Sequence, residues 1–437
     1  MAERGRAHIQ ELAARNRADL GFDGTAVSAQ AIGSVGVIGA GLMGAAIAAE
    51  EVLHDVSVTI HDADRRVLCD LPNRLAALLQ PELANAEAAA KVAERLKPSI
   101  ALGPAVDCDL VVESIIETFA AKARLFAQIE PRLKPGAVLA TNTSTIPVGR
   151  LAAGLEDPTR FCGLHFCHPV RQRPLVEIVR GPRTSNETIA TLVTHMKALG
   201  RMPVVVQDGP GFLVNRLLLP YLGEALELLL EGAVPEEVER AAVSFGMAMG
   251  PLTMLDEIGL DTTLQAGWNL SEAYPERVAA SPLLVAMVKN GCLGRKSGIG
   301  FYRYAPPNSS VAGGCAADES PAQRVIDENV RLVVSQWARS PQRHTSHSIA
   351  MRLFLPMVLE ATRILEENKV RSPGDIDLAV VFGLGFPESR GGLLWWADTL
   401  GPMRIVEMLR QLDSLGPRAA PTPLLRDLAR RAGRFYR

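Results

Sequence analysis

Paired cysteine spacing is missing from this chain. Six cysteines are scattered over 437 residues (Cys69, Cys108, Cys162, Cys167, Cys292 and Cys315), with no CxxC and no His/Cys cluster of metal-ligand spacing. That excludes a disulfide-stapled scaffold and a zinc module, predicts no metal site, and fits a reducing compartment. An excess of either charge is missing too. With 46 basic and 48 acidic residues the net charge is −2, which leaves no electrostatic footprint for nucleic acid. The N-terminal MAERGRAHIQELAARNRADL holds no apolar run of the kind a secretory leader needs, so a cytoplasmic location is expected. The long charge-free stretch Gly24–Ala49 carries six glycines together with Ser, Thr and Gln. Turn chemistry at its centre rules out a membrane span.

What is present is a chain 48% hydrophobic, long enough for about three domains that each bury a core. Residues 1–31 read as a charged helix followed by a Gly/Ser/Ala linker. From Ile32 the pattern is strand, turn, helix. Strands are predicted at Ser34–Ile38, Ser57–His61, Leu110–Glu113, Val138–Thr141, Phe161–Phe166, Leu175–Val179 and Pro203–Val206. Helical periodicity falls between the earlier ones, as in Leu42–Leu53 and Ala120–Leu133. Alternation of this kind predicts an α/β fold, a doubly wound parallel sheet covered on both faces. After Asp208 the character becomes all-helical, beginning with a long helix over Phe212–Glu231. Asn290–Tyr304 is a glycine-rich turn region, and a second helical block starts near Ile349.

Gly39-Ala-Gly41-Leu42-Met43-Gly44 sits between the first strand and the first helix. A glycine-rich turn alone is weak evidence. Here a strand precedes it, a small-residue helix follows, and the next strand ends at Asp62. The glycines let the backbone approach a pyrophosphate at the helix N-terminus, and Asp62 is placed to accept a ribose 2′-hydroxyl. An acidic residue there repels a 2′-phosphate and favours NAD over NADP. Arg65 and Arg66 lie just beyond, either as surface arginines or as receivers of such a phosphate.

Four polar residues form a candidate catalytic set. Ser144 lies in Asn142-Thr-Ser-Thr145, just past a strand end, where doubly wound sheets hold their ligands. His165 ends one strand and Glu177 lies in the next, each equidistant from Arg171. Antiparallel pairing centred there brings the two face to face, and a carboxylate beside an imidazole fixes its tautomer for general-base work. Asn215 opens the long helix on the same face as Leu219, Leu222 and Leu226, a polar group that needs a partner such as a substrate oxygen. Singly, each has an ordinary reading: core histidine, surface carboxylate, helix cap, helix-end amide.

The second helical block repeats the first. Arg216-Leu-Leu-Leu-Pro220 with Glu224-Ala225 matches Arg352-Leu-Phe-Leu-Pro356 with Glu360-Ala361 at a constant offset of 136. Phe245-Gly246 matches Phe382-Gly383, and Asp256 matches Asp398 after a short insertion. Asn215 aligns with Met351, so the copy lacks the amide and reads as structural.

In order along the chain, GAGLMG, VVESIIET, NTSTIPV, GLHFCHPV, PLVEIV, DGPGFLVNR and GRKSGIGFYRY resemble the L-3-hydroxyacyl-CoA dehydrogenase family over residues 34–304. The second block, with GLGFPESRGG and Trp396-Ala-Asp398, resembles the C-terminal repeat of the multifunctional fatty-acid oxidation α-subunit. The resemblance implies a Rossmann-type dinucleotide-binding domain followed by two tandem all-α domains like the C-terminal domain of 6-phosphogluconate dehydrogenase. Their expected limits are 1–31 for an extension, 32–208 for the NAD domain, 209–306 for the first helical domain, 307–345 for a linker and 346–437 for the second. It implies oxidation of a 3-hydroxyacyl-CoA by NAD in β-oxidation, with β-oxidation enzymes as partners. His165 becomes the base, Glu177 its positioning carboxylate, and Ser144 and Asn215 donors to the reacting oxygens. Glu117, Lys122 and Asn142 join Gly39, Gly41, Leu42, Met43, Gly44 and Asp62 as cofactor contacts. In such proteins the helical domain dimerises, and the second copy here is expected to take the partner's place within a monomer.

Departures accompany the resemblance. His168 stands where the family has asparagine, and the Arg171-Gln-Arg173 loop is more basic than the pattern. These keep open a carrier-protein thioester or a small hydroxy acid as substrate. A non-catalytic NAD-binding scaffold is the alternative from another class. No hydratase half precedes residue 34, so no hydratase activity is expected. Leu71–Ala89 offers no phosphate-binding pattern for CoA.

Overall fold

The computed structural model describes residues 2–22, 27–79, 92, 94–304, 326–339 and 341–436. It divides into two compact units: Gln10–Leu213 with Asn368–Arg371, and Val214–Glu367 with Met1–Ile9 and Ser372–Arg437.

The first unit is an eight-stranded sheet in the order β3-β2-β1-β4-β5-β6-β7-β8. The strands are β1 (Ser34–Ile38), β2 (Ser57–His61), β3 (Leu96–Ser99), β4 (Leu110–Glu113), β5 (Val138–Thr141), β6 (Phe161–Phe166), β7 (Leu175–Arg180) and β8 (Met202–Gln207). Every neighbouring pair is parallel except β6 with β7. Val35, Val37, Val58, Ile60, Val112, Ala140 and Leu164 are buried in one core with the helix Leu42–Leu53 and Leu192 and Met196 of the helix Asn186–Ala198. Near-continuous apolar strands of this kind are what a sheet covered on both faces requires.

One strand escaped sequence reading. β3 is Leu-Lys-Pro-Ser, with a single apolar residue. Among the described residues it pairs with β2 alone, and an edge is where a strand tolerates Pro98, which brings no N–H to the ladder.

The Gly209–Leu213 turn stays with the sheet unit. Leu213 donates its N–H to Glu177 of β7 at 2.8 Å. Asn368–Arg371 joins this unit through Gln207 N–H to Lys369 O (2.8 Å) and Lys369 Nζ to Asp208 O (2.5 Å).

The two helical blocks, expected as separate domains, form the second unit together. Their centre is the helix pair Val214–Leu230 and Ser346–Glu366. Two buried arginines are exchanged between the copies. Arg216 binds Glu360 (Nε 2.8 Å, Nη2 2.5 Å), and its counterpart Arg352 binds Glu224 (2.8 and 2.7 Å). Buried guanidinium groups are tolerated only when paired, so each copy completes the other. Phe245 stacks on Phe354 at 3.7 Å across the same seam.

The pairing of Asp256 with Asp398 rests on a shared bonding pattern. Asp256 accepts from the N–H groups of Phe301 and Tyr302, and Asp398 from those of Phe435 and Tyr436. The match of Gly246 with Gly383 is corrected. Gly246 caps its helix in the left-handed region (φ 115°), whereas Gly383 lies inside the helix Pro373–Leu384 and Gly385 (φ 73°) is the cap. The repeat extends further than sequence matching found. Glu239 packs against Gly250 and is bonded by the Tyr302 hydroxyl; Asp377 packs against Gly392 and receives the Tyr436 hydroxyl at 2.6 Å.

The helix Ala2–Ala18 lies where an N-terminal helix was expected, and the helix Glu328–Trp337 falls within the expected linker. Residues 307–325 and 340 of the expected linker fall outside the described residues, as do 23–26 of the first linker. Among the described residues no helix is long and apolar enough to cross a membrane.

Candidate active site

The glycine turn follows β1, and its three glycines do different work. Gly39 has φ 103°, and a Cβ there would lie 2.5 Å from the Ser114 carbonyl. A Cβ on Gly44 would lie 1.8 Å from the Gly39 carbonyl, so only glycine lets the helix Leu42–Leu53 sit that close to the turn. Around Gly41 nothing lies within 4 Å of a Cβ position, and no side chain caps the helix. This is a cradle with free backbone donors at a helix N-terminus, and it fits a pyrophosphate.

Asp62 follows β2 and holds the turn from the side. Its Oδ2 accepts the Ala40 N–H and its Oδ1 the Asp64 N–H, both at 2.9 Å. Arg74, which sequence reading missed, donates to the Ala40 carbonyl at 2.6 Å. Arg66 is paired with Asp64 at 3.1 Å, and Arg65 is exposed at the start of the next helix. Leu42 is 64% exposed, while Met43 packs partly buried against the sheet core.

Beyond β4 and β5 lies a compact carboxylate cluster. Lys122 is 1% exposed, 2.6 Å from Glu113 and 3.4 Å from Glu117. Glu113 also receives the Thr141 hydroxyl (2.6 Å) and the Ile115 N–H (2.7 Å). Glu117 Oε1 accepts the Thr143 hydroxyl at 2.6 Å and the N–H groups of Ser144 and Thr145 at 2.8 and 3.0 Å. Burial works to raise the Glu117 carboxyl, but Lys122 and these donors outweigh it and hold it below its ordinary value. Glu117 and Lys122 therefore shape the loop that carries Ser144, whose hydroxyl lies 3.2 Å from Glu117. Sequence reading missed Glu113, Thr141 and Thr143. The one available signal was a carboxylate ending a fully apolar strand.

The antiparallel register sets His165 opposite Glu177. His165 Nδ1 lies 2.6 Å from Glu177 Oε2, and the second oxygen of that fully buried carboxylate accepts the Leu213 N–H at 2.8 Å. A carboxylate only accepts, so the hydrogen sits on Nδ1 and the Nε2 lone pair is left for chemistry. The Phe212 ring stands 5.8 Å from the imidazole. Asn142 Oδ1 accepts the Phe166 N–H at 3.0 Å, tying the end of β5 to the end of β6. Burial, reinforced by the charge of Glu177, pushes the Cys167 thiol far up and keeps it an uncharged neighbour.

His165, Ser144 and the glycine turn thus all lie at the carboxyl ends of β6, β5 and β1. Asn215 belongs to the helical unit, partly buried in the first turn of Val214–Leu230. His168 is exposed. Arg171 donates to the Leu78 carbonyl at 2.6 Å, and burial depresses the pKa of Arg173. Among the described residues no three His, Cys, Asp or Glu side chains converge on a metal position.

Residues 34–209 match the family model of the 3-hydroxyacyl-CoA dehydrogenase NAD-binding domain, and residues 211–304 that of its C-terminal domain. Among solved structures, FadB2 of M. tuberculosis is 36% identical, covering 63% of this chain and 100% of its own (TM-score 0.61). A 3-hydroxybutyryl-CoA dehydrogenase of Escherichia coli is 27% identical, over 92% of this chain and 99% of its own (TM-score 0.78). The dehydrogenase part of multifunctional enzyme 1 from C. elegans is 26% identical, over 96% of each chain (TM-score 0.66). The last two matches extend through most of the second helical block.

Proposed function

The chain belongs to the 3-hydroxyacyl-CoA dehydrogenase family of NAD-dependent oxidoreductases, and from that premise we propose that it oxidises an L-3-hydroxyacyl-CoA to the 3-ketoacyl-CoA with His165 as general base. The 2.6 Å contact between His165 Nδ1 and Glu177 carries this reading. NAD, when bound, supplies the acceptor for the hydride that leaves the substrate C3. The protein must place the hydroxyl, accept its proton and keep charge balanced.

Nε2 of His165 accepts the hydroxyl proton. The imidazolium that results is stabilised by the Glu177 carboxylate, which is itself held by the Leu213 N–H. Ser144, on a loop drawn together by Glu117, hydrogen-bonds the substrate oxygen, and the family resemblance gives Asn215 the same task. The cradle at Gly39, Gly41 and Gly44 takes the pyrophosphate, and Asp62 takes the adenosine ribose hydroxyls. The internal exchange of Arg216 and Arg352 supports the reading of the second helical block as a built-in dimer partner, with one catalytic set per chain. A place among β-oxidation enzymes follows from the same substrate class.

The test is initial-rate NADH formation by the purified chain with L-3-hydroxybutyryl-CoA. His165→Ala should slow turnover roughly 10²–10⁴-fold, the usual contribution of a positioned base. Equal turnover by the variant removes His165 from the role.

A further inference from the structure

We propose that a pocket in the helical unit receives the distal acyl chain, and that two helix-interior glycines, Gly223 and Gly267, set the chain length it admits. The proposal rests on the reading that Asn215 touches the reacting end of the substrate. Leu219, Leu222 and Leu226 share a helix face with Asn215, beginning one turn away, and all three line the pocket. Leu264 and Leu284 come from two further helices of the same unit. An acyl chain leaving the oxygen held by Asn215 has this apolar surface directly along the helix.

Gly223 lies inside Val214–Leu230 and Gly267 inside Leu260–Ala273. Glycine costs about 1 kcal/mol relative to alanine within a helix. Neither glycine has φ above zero, and neither has any atom within 4 Å of a Cβ position. No turn or close approach accounts for them; what they leave is space in one shared pocket. Four arginines and three glutamates also line it, and each arginine is ion-paired, as in Arg216–Glu360, Arg277–Glu367, Arg363–Glu360 and Arg418–Glu224. The surface along Leu219, Leu222 and Leu226 is the apolar part, and it is the part that suits an aliphatic chain. The cavity measures about 80 Å³, roughly half of one that accepts benzene, enough for about three methylene groups. Short to medium chains are therefore preferred.

Each buried methylene strengthens binding about fourfold. With the full chain and NAD, L-3-hydroxyhexanoyl-CoA, two methylenes longer, should exceed L-3-hydroxybutyryl-CoA in kcat/KM by about fifteenfold, and the hexadecanoyl substrate should fall below the hexanoyl. Gly223→Leu or Gly267→Leu should abolish the hexanoyl advantage while leaving butyryl turnover within about twofold. Binding of hexanoyl-CoA against butyryl-CoA by calorimetry gives the same comparison without turnover, so inactivity of the chain on both substrates overturns the proposed reaction and not the pocket. Equal affinity for both chains in the parent, or an unchanged chain preference in both folded leucine variants, overturns the pocket.

Discussion

Replacing Glu177 with glutamine changes one atom and should invert the tautomer of the base. In the parent, one oxygen of Glu177 accepts the Leu213 N–H and the other faces His165 Nδ1. The side chain is fully buried, so water cannot repair a mismatch. A glutamine there must turn its carbonyl toward Leu213, because two N–H groups set against each other without water cost about 1–3 kcal/mol. Its NH2 then donates to Nδ1, and the imidazole proton moves to Nε2, where it blocks the hydroxyl. The productive tautomer is disfavoured by a factor of about 5–150. Loss of the carboxylate's support for the imidazolium adds to this, and the total should lie in the range of roughly 10²–10⁴ in kcat. The assay is steady-state oxidation of L-3-hydroxybutyryl-CoA, with the NAD Michaelis constant as an internal control that should move little. A folded Glu177→Gln variant within fivefold of the parent refutes the tautomer argument.

Asp62→Ala removes the acceptor for Ala40 and the proposed ribose ligand; the NAD constant should rise with kcat nearly unchanged, and an unaltered constant places the ribose elsewhere. Burial raises Glu239 and Asp377 to about 7 and Asp256 to about 6. The folded chain then holds protons that the unfolded chain releases, so stability is lost as pH climbs from about 4 to about 7. Urea melts of the helical unit should show a higher midpoint at about pH 5.5 than at about pH 8, and a flat or opposite trend contradicts the assignment. Ending the chain at Tyr304 strips Arg216 and Glu224 of Glu360 and Arg352, and breaking a buried pair costs about 3–5 kcal/mol. Light scattering should find that fragment dimeric or aggregated; a stable, active monomer would show that the second copy is dispensable.

Seven of the eight strands were legible because each is a short apolar run bounded by turn residues, a pattern that needs only neighbours along the chain. The glycine turn was legible for the same reason, and so was the approach of His165 to Glu177, which two strands meeting antiparallel about Arg171 place opposite each other. β3 was not, because an edge strand with Lys97 and Pro98 has no apolar signature.

What the residues decided by themselves was everything encoded in spacing: the nucleotide turn, the order of the elements, the duplication and the pairing of His165 with Glu177. What only the folded chain decided was which distant groups satisfy one another. Leu213 completes Glu177, Thr143 to Thr145 gather on Glu117, and Arg216 and Arg352 trade carboxylates between the copies. Buried polar atoms must find partners once water is gone. Those partners are chosen by where the backbone returns in space, a quantity that no local periodicity records.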